Sequence, residues 1–166
     1  MTLIALSKDT LAGQHGEAIA PDSAIRFNGL VLSIERTPQS NAQKMAEDDR
    51  KWPGRIRRIV HAKLRHWDLA CLYDSVALLV TELVTNALRY GAGTVIVFRC
   101  SYSCSAGVVR IEVDDGSHRS PYIRESGPQD ESGRGLILVS AIADKWGTSE
   151  DGSRTWCTLA APSGGH

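Results

Sequence analysis

Residues 72–90 constrain this chain most, because their pattern demands a helix buried along one side. Val76, Leu79, Val80, Leu83, Ala87 and Leu88 recur at steps of three and four, the spacing that gathers side chains on one face of a 3.6-residue helix. Gly91 follows as a stop signal. Beside that stripe, not opposite it, stand Glu82 and Asn86. Four residues of helix advance about 6 Å and return to the same face, so a carboxylate and an amide share the edge of a core and address a common point. An amide oxygen is a neutral, hard ligand of the kind Mg²⁺ accepts beside phosphate oxygens. A neighbouring carboxylate can take a proton from a hydroxyl or water. An ordinary helix flank carries the same residue types, so the pair gains meaning only in company.

The other elements follow from punctuation and period. Residues 25–34 read as a strand, weakened by Gly29. Trp52-Pro53 opens a helix, since proline suits the first helical position. Its apolar stripe is Trp52, Ile56, Ile59, Val60, Leu64 and Trp67, and its opposite face carries Arg50, Lys51, Arg55, Arg57, Arg58, Lys63 and Arg65. Such a charge run is either a solvated face or a docking surface for an acidic partner. Residues 94–102 and 108–113 form an antiparallel hairpin, and residues 155–160 a last strand. Residues 135–146 suit a helix, apolar at Leu136, Val139, Ile142 and Trp146 and stopped by Gly147. Strands gathered in hairpins, with helices that do not alternate regularly with them, imply an α/β fold of the α+β kind. The expected architecture is a two-layer sandwich: a mixed, mostly antiparallel sheet with helices on one face. Residues 1–24 read as a loosely held extension, 25–162 as the domain and 163–166 as a tail.

At 166 residues and 18.0 kDa the chain suits one domain with a real core. Lysine plus arginine and aspartate plus glutamate number 19 each, so the formal net charge is zero, which argues against direct nucleic-acid binding. No apolar run looks long enough for the roughly 18 residues of a membrane span, and the N-terminus lacks a secretory pattern. A cytoplasmic location is expected. Cys71, Cys100, Cys104 and Cys157 include no C-x-x-C pair and read as small interior residues. His61 and His66 read as surface residues.

Two further motifs carry chemistry. In Ile111-Glu112-Val113-Asp114-Asp115-Gly116-Ser117, strand alternation sets Ile111, Val113 and Asp115 on one face. If that face is the core, Asp115 lies at the bottom of a pocket, where it can accept a hydrogen bond from an exocyclic amine, and Asp114 points outward. An Asp-Gly turn at a strand end is the plainer reading. Gly133-Arg134-Gly135 leads into the third helix. Glycines admit a close-approaching anion, a helix N-terminus supplies free N–H groups, and Arg134 adds a bidentate phosphate donor.

Together these motifs carry a resemblance. Leu78-Leu79-Val80-Thr81-Glu82-Leu83-Val84-Thr85-Asn86-Ala87-Leu88-Arg89-Tyr90-Gly91 resembles the N box of the GHKL, or histidine-kinase-like, ATPase superfamily, nearest its stand-alone anti-sigma-factor serine kinase branch in actinobacteria. Val113 to Ser117 is similar to its first glycine box, Gly133 to Val139 to its second, and Asp151-Gly152-Ser153-Arg154-Thr155-Trp156 to its closing G-x-x-T segment. The resemblance implies a Bergerat fold with ATP and Mg²⁺ between the helical layer and a lid at residues 117–132. It implies Asn86 as the Mg²⁺ ligand, Glu82 as general base and Asp115 on the adenine. Gly133, Arg134 and Gly135 would meet the phosphates, with Thr155 near the adenine; Arg89, Ser117 and Leu136 lie inside the same motifs and join the nucleotide-binding set. Asp114-Asp115-Gly116 also satisfies D-x-G literally, whereas alternation favours Asp115 with Ser117 in the glycine place, and Asp115 is adopted.

Two functions of different class remain open. One is a serine/threonine kinase that phosphorylates an antagonist protein and binds a sigma factor, as the resemblance implies, along with a homodimer. The other is a non-catalytic module that holds a partner in an ATP-dependent way, with the basic helix as the contact. The ATPase domain of a sensor histidine kinase fits less well, since no phosphoacceptor helix pair precedes the domain.

Overall fold

Alternate burial along four strands builds the sheet. In the computed structural model, which describes residues 29–37, 45–117 and 131–162 with side chains from Gly135 onward in the last segment, these strands are β1 (Gly29–Glu35), β2 (Val95–Ser103), β3 (Val108–Asp114) and β5 (Arg154–Ala160), and β4 (Lys145–Thr148) adds a short edge. Leu32 and Ile34, then Ile96, Phe98 and Cys100, then Val109, Ile111 and Val113, then Cys157 and Leu159 all turn to one side and are buried. The order is β1-β2-β3-β5-β4, and every pairing among the described residues is antiparallel. Val113 stands between Phe98 on β2 and Thr155 on β5.

Three helices cover that apolar face: α1 (Lys51–His66), α2 (Tyr73–Tyr90) and α3 (Glu131–Ile142). The stripe expected on the second helix is observed, widened by Val84, so that α2 buries seven side chains and forms the centre of one continuous core. Helix α1 buries Pro53, Ile56, Val60 and Leu64, and α3 buries Leu136 and Val139. Arg57 is not simply solvated: its Nη1 donates to Thr81 Oγ1 at 2.8 Å and ties α1 to α2. The two-layer sandwich is therefore the architecture, and the hairpin of β2 and β3 is as the sequence implies.

Several expectations need correction. Helix α3 starts at Glu131, not Gly135, and ends at Ile142. Trp146 continues the helical spacing by coincidence; it lies on β4, opposite Cys157. Gly147 does not stop a helix but leaves room for a ring, since a Cβ there would sit 3.0 Å from Trp156 Cζ2. Cys100 and Cys157 are interior, whereas Cys71 and Cys104 are exposed. His61 is half-buried, its ring 4.1 Å from that of Tyr73, while His66 is exposed. One stretch, Ala70–Tyr90, with mean hydropathy 1.3, is long and apolar enough by composition to cross a membrane; its apolar side chains form the core of this domain. The N-terminal part of the first predicted strand (residues 25–28), the extension at 1–24, the tail at 163–166 and most of the predicted lid lie outside the described residues.

Candidate functional site

Helix α2 delivers the first two groups. Glu82, Asn86 and Arg89 fall along one half-buried strip beside the core stripe, the geometry their spacing dictates. Burial pushes the Glu82 carboxyl above its usual range, and the Arg89 guanidinium partly opposes this. Helix α3 then runs its first turns against that strip. A Cβ on Gly135 would lie 2.5 Å from Glu82 Oε2, 3.4 Å from Asn86 Nδ2 and 3.6 Å from Asn86 Oδ1. The structure thus brings Glu82, Asn86 and Gly135 to one point, and any side chain at Gly135 would strike the carboxylate.

The second wall comes from the end of β3. Ile111 and Val113 are buried, and Asp115 continues their alternation just past the strand. Ser117 closes back on it: its backbone N–H donates to Asp115 Oδ1 at 2.9 Å and its hydroxyl to the same oxygen at 2.6 Å. Burial raises the proton affinity of Asp115, the two Ser117 hydrogen bonds lower it, and the nearby Asp114 charge raises it again. Asp114 belongs to the other side of the strand, where Arg154 Nη2 lies 3.9 Å from its Oδ2 and the Gly116 N–H donates to its Oδ1 at 3.2 Å. The two adjacent carboxylates therefore have separate surroundings, and it is Asp115 that packs toward α2.

That packing explains Gly93 and replaces the stop signal expected at Gly91. Gly91 is extended, not left-handed, so it does not end α2 by the usual glycine route. A Cβ there would meet the Ala87 carbonyl oxygen at 2.5 Å and Asp115 Cβ at 2.8 Å. Gly93 donates its N–H to the Asp115 carbonyl at 2.9 Å, and its own Cβ would lie 2.9 Å from that oxygen. The 91–93 loop is thus pressed flat against Asp115. Arg36 holds the loop from behind: its Nη1 donates to the Gly91 carbonyl, and its backbone N–H to Thr94 O at 2.8 Å. No local signal marks a residue that acts across 55 positions of chain.

The remaining predicted residues are placed as follows. Thr155 pairs with Val113, shares the core-facing side of the sheet and is half-buried. Leu136 is buried but stands outside the continuous core that Val139 joins. Gly133 and Arg134 fall in the first turn of α3, and the Arg134 side chain lies outside the described residues. Among the described residues, no group of three His, Cys, Asp or Glu side chains could hold a metal by itself. A groove of about 590 Å³ lies elsewhere, between β1 and the start of α1. Its Lys51, Arg55 and Arg58 face Glu35, Asp48 and Asp49, so its charges balance.

Residues 47–160, well over half of the chain, match the family described as the histidine kinase-like ATPase domain. An uncharacterised protein of Streptomyces coelicolor is 37% identical over 78 residues, an alignment that covers 45% of this chain and 73% of that relative.

Proposed function

We propose that this chain, which belongs to the histidine kinase-like ATPase family, binds ATP with Mg²⁺ in the cytoplasm and phosphorylates a serine or threonine of an antagonist protein while also holding a sigma factor. The observation that carries the nucleotide site is the meeting of Glu82 and Asn86 with the side-chain-free Gly135 on α3. Gly135 leaves no room for a Cβ, so the α3 backbone comes directly against an amide and a carboxylate, and those side chains with a helix N-terminal region are a donor set suited to Mg²⁺ and phosphate together.

Bound ATP and Mg²⁺ would supply a transferable phosphoryl group with its charge partly neutralised. The protein's own contribution is positioning and proton handling. Asn86 would offer one neutral oxygen to the cation. Gly133, Arg134, Gly135 and the α3 N-terminus would receive phosphates, Asp115 the exocyclic amine of adenine, and Thr155 would stand beside it. Glu82, whose partly buried carboxyl binds a proton more readily than an exposed one, would take the proton of the acceptor hydroxyl. The kinase and sigma-factor parts of the reading are supported by the resemblance of the Glu82–Gly91 motif to the anti-sigma-factor kinase branch.

Calorimetric titration with ATP and Mg²⁺ should give saturable binding, reduced at least about tenfold in Asn86→Ala; one lost charge-assisted contact at this site is enough for such a drop. Phosphoryl transfer to an antagonist protein should fall roughly 10²-fold or more in Glu82→Ala, the usual scale for a positioned base. Absence of ATP binding by the intact protein would remove the nucleotide reading. Undiminished transfer in the Glu82 variant would leave the site but remove the base.

A further inference from the structure

Asp115 has one oxygen already spent. Both Ser117 donors, the N–H at 2.9 Å and the hydroxyl at 2.6 Å, converge on Oδ1. A carboxylate oxygen has two in-plane lone pairs, so Oδ1 is saturated by the protein and Oδ2 alone is left to a ligand. Ser117 is itself only 9% exposed, and the backbone of Asp115 is pinned by Gly91 and Gly93. The carboxylate is therefore fixed in rotation as well as in place.

We infer that Ser117 is a positioning residue that sets base specificity, by turning Asp115 into a one-oxygen acceptor that fits the lone exocyclic amine of a 6-aminopurine and refuses the paired N–H donors of guanine. The inference rests on the nucleotide reading above. A free carboxylate would pair well with guanine, whose adjacent ring and exocyclic N–H groups form a fork for two oxygens. With Oδ1 occupied, that fork finds one acceptor, and the second buried donor goes unpaired, which is the kind of mismatch that gives large discrimination. Adenine needs one acceptor and loses nothing.

The test measures calorimetric affinities for ATP and GTP, each with Mg²⁺, in the intact protein, Ser117→Ala and Ser117→Thr, with thermal melts of all three. The alanine variant keeps the backbone donor but releases one lone pair of Oδ1 and lets the carboxylate rotate. The expected result is a preference for ATP over GTP in the intact protein that falls at least about tenfold in the alanine variant and returns in the threonine variant, which restores the hydroxyl. An unchanged ATP-to-GTP ratio in Ser117→Ala overturns the assignment while the ATP site stands. Equal loss of both affinities makes Ser117 structural alone and overturns it too. If the intact protein binds neither nucleotide, the nucleotide reading fails and takes this inference with it.

Discussion

Gly135 lacks a side chain because Glu82 occupies the space one would need, and this single fact separates folding from function at the residue scale. Gly135→Ala gains about 1 kcal/mol of helix propensity but places a methyl 2.5 Å from Glu82 Oε2. The obstructing atom is the tip of a flexible side chain, so Glu82 can swing aside at modest cost. Stability measured in urea should change by no more than about 1 kcal/mol, while ATP affinity measured by calorimetry falls at least tenfold, as for a site whose groups are displaced by an ångström. Glu82 itself is held at the site against its own preference. Its folded-state proton affinity is raised, from a usual pKa of 4.5, chiefly by burial. A carboxyl raised on folding binds protons better in the native state, so stability drains away as pH climbs from the usual value through the raised one. Above the raised value the cost is complete, and there Glu82→Gln should melt at a higher temperature than the intact protein. That advantage should fade as pH falls below 4.5, which a melting series across acid pH would read directly.

Elements were legible where one physical signal dominated. Helix α2 announced itself because seven buried residues at helical spacing leave no alternative, and β2 and β3 because branched residues alternate on both sides of a small-residue turn. Strand β4 was illegible for a corresponding reason. It has four residues, Lys-Trp-Gly-Thr, too few to show a period, and Trp146 happens to extend the spacing of α3. The junction of α1 and α2 is the clearest case of hidden local chemistry. Asp68 has φ 58, and the Leu69 and Asp68 N–H groups donate to the Leu64 and Arg65 carbonyls at 2.8 and 3.1 Å, the paired bonds of a Schellman stop. Leu64 and Leu69 are buried together beneath it. Nothing in Trp-Asp-Leu advertises a left-handed residue, because glycine is the usual occupant and aspartate only tolerates it. Asp68→Val should therefore destabilise by roughly 1–2 kcal/mol, with Asp68→Gly at least as stable as the intact protein; chemical denaturation of the pair decides it. If both behave alike, the left-handed turn is not what holds this junction.

On the scale of the whole molecule, the candidate site exists only because distant pieces of chain are brought together. Glu82 and Asn86 come from α2, Gly135 from α3, Asp115 from the end of β3 and Thr155 from β5, and the sheet order that places β5 beside β3 joins the last two. Each motif was readable alone, but the contact between Gly135 and Glu82, the loop at Gly91 and Gly93 pressed on Asp115, and the reach of Arg36 are products of tertiary packing, which single-chain periodicity does not encode. The unfolded chain has none of these juxtapositions and so has no site. A ligand that binds only the folded form stabilises it by RT ln(1 + [L]/Kd), about 2.7 kcal/mol at a hundredfold excess over Kd. For a domain of this size that corresponds to a rise in Tm of roughly 5–10 °C. ATP with Mg²⁺ at that excess should therefore raise the melting temperature by this amount, and the shift should grow with the logarithm of nucleotide concentration. Asn86→Ala at the same nucleotide concentration should lose at least about tenfold in affinity, and with it about 1.3 kcal/mol of the stabilisation, while melting normally without nucleotide. A Tm shift that is identical in the Asn86 variant would place the bound nucleotide somewhere other than the meeting point of Glu82, Asn86 and Gly135.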